Sequence, residues 1–184
     1  MGTTLKVKLT QASIQNAIKE IEQYRGSLET RTRVLVGRLA EMGLDVAKAR
    51  ISESELSSFV TVNVNYQNQD NGCRAMLIAT GQNLYSAMDE GHVNAFLLIE
   101  FGAGVAVNPT DNPLSGKYGY GVGTYGKGHG NDPNGWWFLD VDGKWHHTYG
   151  TRATMPMFKA YDTLMNNIYR VAREVFTTDR VVVC

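Results

Sequence analysis

The chain has 184 residues, 43% hydrophobic and 20% charged, which makes a globular rather than a disordered protein the default and leaves enough length for one sizeable core. Its 18 Lys and Arg balance 18 Asp and Glu, so no basic excess marks it as a nucleic-acid binder. The longest apolar run, Ala95–Ile99, is far short of a membrane span, so no membrane partner is expected.

No basic and apolar leader opens the sequence, and Lys6 stands where a myristoylation signal wants Ser or Thr. Cys73 and Cys184 make no disulfide framework, so a reducing, intracellular setting is expected. Leu5–Leu9 alternates and predicts a short strand. Thr10 is placed to cap a helix, with Leu9 and Ile14 spaced as a hydrophobic staple. Ile14, Ala17, Ile18, Ile21, Tyr24, Leu28, Leu35, Leu39 and Met42 then fall on one helical face. Gly26 is a candidate kink and Gly43 a candidate stop, with Leu44–Arg50 able to add another turn or two. The polar face, from Lys19 to Arg38, reads either as a solvated surface or as an intersubunit one.

Phe59–Tyr66 alternates valine with Thr and Asn, predicting a strand whose Val60, Val62 and Val64 face the helices. Gln67–Gly72 is a turn by composition, and Cys73–Thr80 is the returning strand. Cys73 reads as a small hydrophobe, since no neighbour in sequence would activate it for redox chemistry. Leu84–Met88 suggests a short helix. Phe96–Phe101, nearly continuous in apolar residues, predicts a third, central strand, with Glu100 near its end as a cap or ion-pair partner.

Twelve of the nineteen glycines lie between Gly102 and Gly150, a density that cannot build its own core because ordering glycine costs the most backbone entropy. Trp136–Leu139 and Lys144–Thr148 flank Asp140-Val-Asp-Gly143 and predict a hairpin. Thr154 is the expected cap of a last helix, with Pro156 in its first turn. Met157, Tyr161, Leu164, Ile168, Val171 and Val175 step by 4 and 3 along it. Val181–Val183 ends the chain as a short strand or tail.

Gly121-Val-Gly-Thr-Tyr-Gly126 matches the dinucleotide glycine spacing, but no helix follows it, so no cofactor is expected. His129, His146 and His147 raise a metal site. His146 and His147 are adjacent in a strand and point to opposite faces, which opposes a shared ion; the other reading is ordinary polar residues on a hairpin, and no metal is expected. Tyr118, Tyr120, Tyr125, Trp136, Trp137 and Trp145 are the candidate interface residues of an aromatic-rich region that also includes Phe138 and Tyr149. Such a cluster serves a protein interface, core packing or carbohydrate contact. No catalytic set converges in the sequence, so no enzyme is expected.

Glu100-Phe101-Gly102-Ala103-Gly104, then Gly123–His129, then Gly150–Ala160 running into a helix, resemble the tail-completion or neck proteins of long-tailed bacteriophages (siphophages). The likeness covers most of the chain, and Gln82–Asn94 departs from it as an addition between two strands. The resemblance implies a structural protein of tail completion or head–tail joining, assembled as a ring around the DNA channel, with six-fold symmetry typical of related rings. It implies a place in the virion after assembly in the host cytoplasm. The implied partners are other copies, head-closure or connector proteins and a tail terminator or tail tube, with genomic DNA only a transient neighbour. The alternative is a carbohydrate-binding module or enzyme using the hairpin at 135–149.

The expected fold is α+β. It is one domain over 1–184, a small, mostly antiparallel sheet packed against a long N-terminal and a C-terminal helix. A Gly-rich arm and aromatic hairpin project from it over about 102–150. Ala103–Asn134 is expected either to be ordered by neighbouring subunits or to lie flat on its own domain.

Overall fold

The computed structural model describes residues 8–69, 72–86, 92–102, 112–114, 116–118, 135–140 and 142–177. The fold is α+β, with a long N-terminal helix, an antiparallel two-stranded sheet and a C-terminal helix. Helix α1 runs unbroken from Gln11 to Ser52, about 63 Å at 1.5 Å per residue. Thr10 caps it, its hydroxyl accepting from Ser13 N at 3.4 Å. The expected staple does not form: Leu9 is 98% exposed and Ile14 43%. Lys8 and Leu9 are not strand, and the rest of that predicted strand lies outside the described residues.

Neither glycine acts as expected in α1. The helix passes through Gly26 without a break, and through Gly43 for nine more residues to Ser52. Gly43 is buried, and a Cβ there would stand 3.3 Å from Leu164 Cδ1 and 3.6 Å from Leu77 Cδ2. It is a close-packing position, where the missing side chain admits a neighbouring helix and strand.

Strands β1 (Val60–Gln69) and β2 (Gly72–Gly81) pair antiparallel from Val60 with Gly81 to Gln69 with Gly72. Val60 is buried, Val62 and Val64 are half-buried, and Thr61, Asn63 and Asn65 face water, as the alternation requires. The predicted third strand is instead a helix, α2 (Ala95–Phe101). Asn94 starts it, its side chain accepting from Phe96 N, and Gly102 closes it at φ 74, a left-handed conformation natural to glycine. A run that is apolar on every side reads alike as buried strand or buried helix. The consequence is that the sheet of β1 and β2 has two strands.

A second sheet has the order β4-β3-β5-β6. In it β3 (Asn83–Ser86) and β4 (His92–Asn94) pair antiparallel, so the short helix expected at Leu84–Met88 is strand where it is described. Strand β5 (Trp136–Leu139) joins β3 on one side and β6 (Trp145–Thr148) on the other. The core comprises Ile51 from α1, Leu56, Val60, Leu84, and Ala95, Leu98 and Ile99 from α2.

Helix α3 (Pro156–Thr177) lies antiparallel on the second half of α1. Arg38 pairs with Glu174 at 3.3 Å, and Arg31 Nη1 donates to the carbonyl of Phe176 at 2.7 Å. Arg31 thus satisfies a carbonyl at the negative end of the α3 dipole. The buried stripe of α3 is Ala160, Val171 and Val175; Tyr161 and Ile168, expected with it, are exposed. Because α3 ends beside Arg31, the part of α1 before Thr30 runs on past it. There Ile14, Ile18, Ile21, Tyr24 and Leu28 are 43%, 51%, 58%, 65% and 37% exposed.

Candidate functional site

Two carboxylates organise the region where the sequence signals concentrate. Glu100, on α2, is buried at 5% exposure. It accepts from Met157 N at 2.9 Å, from Phe158 N at 3.0 Å and from Asn112 Nδ2 at 2.9 Å. It therefore caps α3 from 57 residues away, satisfying two of the amides that a helix start leaves open. The sequence role of cap holds, but for a different helix from its own. Burial pushes the Glu100 carboxyl above its ordinary value, and the three hydrogen bonds oppose that rise.

Thr154 was the expected cap and is not. The helix begins at Pro156, so the cap position falls on Met155, one residue later, whose φ is 54. Thr154 Oγ1 is buried and has no hydrogen-bond partner among the described residues. The backbone around it is tied to α2 instead: Thr154 N and Met155 N both donate to the Ile99 carbonyl, at 2.9 and 3.3 Å. A Cβ on Gly102 would stand 3.1 Å from Ala153 N, so this junction needs glycine for space as well as for φ. The end of Ile99–Gly102 and the start of 151–160 form one interlocked unit.

Asp140 holds the turn between β5 and β6. Its Oδ1 accepts from Asp142 N at 2.9 Å and Lys144 N at 2.8 Å, and its Oδ2 meets His146 Nε2 at 2.8 Å. The Lys144 amide, followed by His146, draws the Asp140 carboxyl below its ordinary value. This fixes the register in which Trp137 faces His147.

That register builds an exposed aromatic face. Trp145, His147 and Tyr149 alternate onto one side of β6 and its extension, and Trp137 stands across from His147. Ring centroids are 4.9 Å apart for Trp137 and His147, and 4.8 Å for His147 and Tyr149. Trp137 and Trp145 are each 51% exposed. His146 turns the other way, onto Asp140 and edge-on to Phe59 at 5.7 Å, so the two histidines do diverge. Tyr118 is 54% exposed on a 3-10 turn, its ring 5.5 Å from Phe101. Trp136 pairs with Thr148 through the backbone, while Tyr120, Tyr125 and His129 lie outside the described residues. So does nearly all of Ala103–Asn134.

Beside the hairpin is an open cleft of about 830 Å³. Arg50, Arg152, Lys159, Glu53 and Glu55 supply its charge, and Arg50 is engaged with Glu53 at 3.2 Å. Among the described residues no three His, Cys, Asp or Glu side chains gather as a metal site, and no helix is long and apolar enough to cross a membrane. Set against protein-family models, curated proteins and solved structures, the chain matches none.

Sequence reasoning missed the Glu100 latch and the exposure of the α1 stripe. The first spans too many residues for any local motif. The second was written in the sequence as an apolar face, without a sign of whether anything covers it.

Proposed function

We propose that the protein is a structural component of a long-tailed phage neck or tail, completing the tail or joining it to the head as a ring around the DNA channel. The observation that carries this reading is apolar surface left in solvent at two separate places, the first half of α1 and the Trp137–Trp145–Tyr149 face. A chain of this size that leaves both bare is built for contact with other protein surfaces. The two segments that most resemble neck proteins, Glu100–Gly104 and Gly150–Ala160, also meet through the Glu100 latch, which supports reading them as one unit of the fold.

The ring is expected to be six-fold and to touch head-closure or connector proteins on one side and a tail terminator or tail tube on the other. Phage DNA passes it as a neighbour, since Asp111 and Asp132 balance Lys117 and Lys127 in the Gly-rich stretch. The test is electron microscopy of particles made without the protein. Heads and tails should form and remain unjoined or unfinished. Infectious particles with intact necks would refute the reading.

One observation favours a second reading. Exposed Trp137, Trp145 and Tyr149 beside a cleft also form a surface on which sugar rings stack. Binding to a glycan array that is lost in Trp137→Ala and Trp145→Ala would move the assignment to a carbohydrate-binding module.

A further inference from the structure

The first half of α1 has an apolar stripe with a regular repeat. Ile14, Ile21 and Leu28 recur every seven residues, Ala17 and Tyr24 follow each of the first two by three, and Ile18 widens the face. Gln15, Asn16, Lys19, Glu22, Gln23 and Glu29 occupy the opposite side. This is the pattern of a helix that packs along another helix. Nothing in the described structure supplies that helix, because α3 ends level with Arg31. Of the stripe, only the small Ala17 is buried.

Charge identifies the occupant. Glu20 precedes Ile21 by one residue, and Arg25 follows it by four. In a parallel, in-register pair of identical helices, a residue at the first of these positions meets the residue five further along the neighbour. Glu20 of one copy then faces Arg25 of the other, and the reverse contact forms as well. In an antiparallel arrangement each flanking position meets its own kind on the neighbour, so Glu20 of one copy does not face Arg25 of the other and both ion pairs are lost. Arg25 spends its Nε on Glu29 at 2.9 Å in the same helix, and its side chain is 71% exposed, so its outer N–H groups can reach a second carboxylate.

We infer that the Ile14–Leu28 face of α1 is a self-association seam, packing in parallel and in register against the same segment of a second copy. Ile18 makes the apolar face broader than a two-stranded seam requires, so each helix can meet a neighbour on either side, as in a ring. The seam covers little more than two heptads. Helices this short associate weakly by themselves, and the contact is reversible for the free protein.

The test uses the full chain in sedimentation equilibrium from micromolar to millimolar concentration. The wild type should associate with rising concentration. Ile21→Glu and Leu28→Glu should abolish association while leaving far-ultraviolet circular dichroism unchanged. Glu20→Arg and Arg25→Glu should each weaken it at least several-fold, and an equimolar mixture of these two variants should associate again, because every cross-helix pair is then of opposite sign. Each substitution is at an exposed position, so loss of folding is not the expected outcome.

A wild type that stays monomeric throughout would overturn the seam, as would self-association that ignores all four substitutions. Charge variants that fail to rescue each other on mixing would also overturn it. Hydrogen-exchange protection of Ile14–Leu28 in that monomer would show that the rest of the chain covers the stripe, and capture of a different protein there would assign it to another partner. The seam stands apart from the neck reading: association through α1 in a protein dispensable for joining heads to tails would keep the seam and discard the neck.

Discussion

In its second half α1 presses Gly43 under Leu164, buries Ala47 and carries Ile51 into the core, while α3 is tied to it through Arg31 and Arg38. In its first half the same unbroken helix leaves Ile18, Ile21 and Tyr24 more than half exposed. Both halves bear an apolar face. One is completed within the chain, and the other is not completed among the described residues. Burying such a face stabilises by roughly 25 cal/mol per Å². Side chains of the first half therefore add little to the stability of a single copy and much to any assembly that covers them.

The largest expected effect is in the packed half. Ile51→Ala should cost about 2–5 kcal/mol by lost transfer and cavity formation, read from urea unfolding. Ile21→Ala, the matching truncation in the first half at a 58% exposed position, should leave stability nearly unchanged or slightly raised, because alanine has the higher helix propensity. Equal costs would erase the distinction between the halves.

Next is the latch that fixes α3 on the packed half. Glu100→Ala strands the amides of Met157 and Phe158 and should cost about 2–3 kcal/mol. It also has a pH signature. The folded carboxyl is raised above 4.5, so its contribution is fully present below that pH and declines as pH rises through the folded value. Glu100→Gln should flatten this decline in pH-dependent stability curves. Asp140 shows the opposite sign. Its folded carboxyl is drawn below 3.8, so its stabilisation holds above that pH and is lost as pH falls through the folded value. Asp140→Asn should remove only that acid-side loss. Slopes of the same sign at the two positions would mean that the environments of these carboxylates are not as described.

The smallest effects compare glycine with glycine. Gly26→Ala meets nothing within 4 Å and should stabilise by up to about 1 kcal/mol through helix propensity. Gly43→Ala gains the same propensity but brings its Cβ to 3.3 Å from Leu164, so the gain should vanish or reverse. Thermal unfolding of the two variants decides it.

Much of this was legible from residue order. Alternation from Val60 to Asn65 marked β1 with its buried side, Thr10 marked the start of α1, and the adjacent histidines marked opposite faces of β6. Ala95–Phe101 was not legible, because an apolar run with no wet face carries neither period. Gly43 misled because glycine signals both a helix end and a close approach, and only the neighbouring Leu164 and Leu77 distinguish them. The α3 stripe was legible in part: Val171 and Val175 are buried and Leu164 lies against Gly43, while Tyr161 and Ile168 fit the period but are exposed and Ala160, off the expected stripe, is buried. Glu100 was read as a cap or an ion-pair partner at the end of a strand; it is a cap, carried on a helix, and its target could be seen only once α2 and α3 were placed together.

The most direct measurement is hydrogen exchange along α1 as a function of protein concentration. In dilute solution residues 31–52 should be strongly protected and residues 11–28 weakly. Raising the concentration should add protection to 11–28 and leave 31–52 unchanged. Strong protection of both halves at the lowest concentration, or no gain in 11–28 at the highest, would contradict the account.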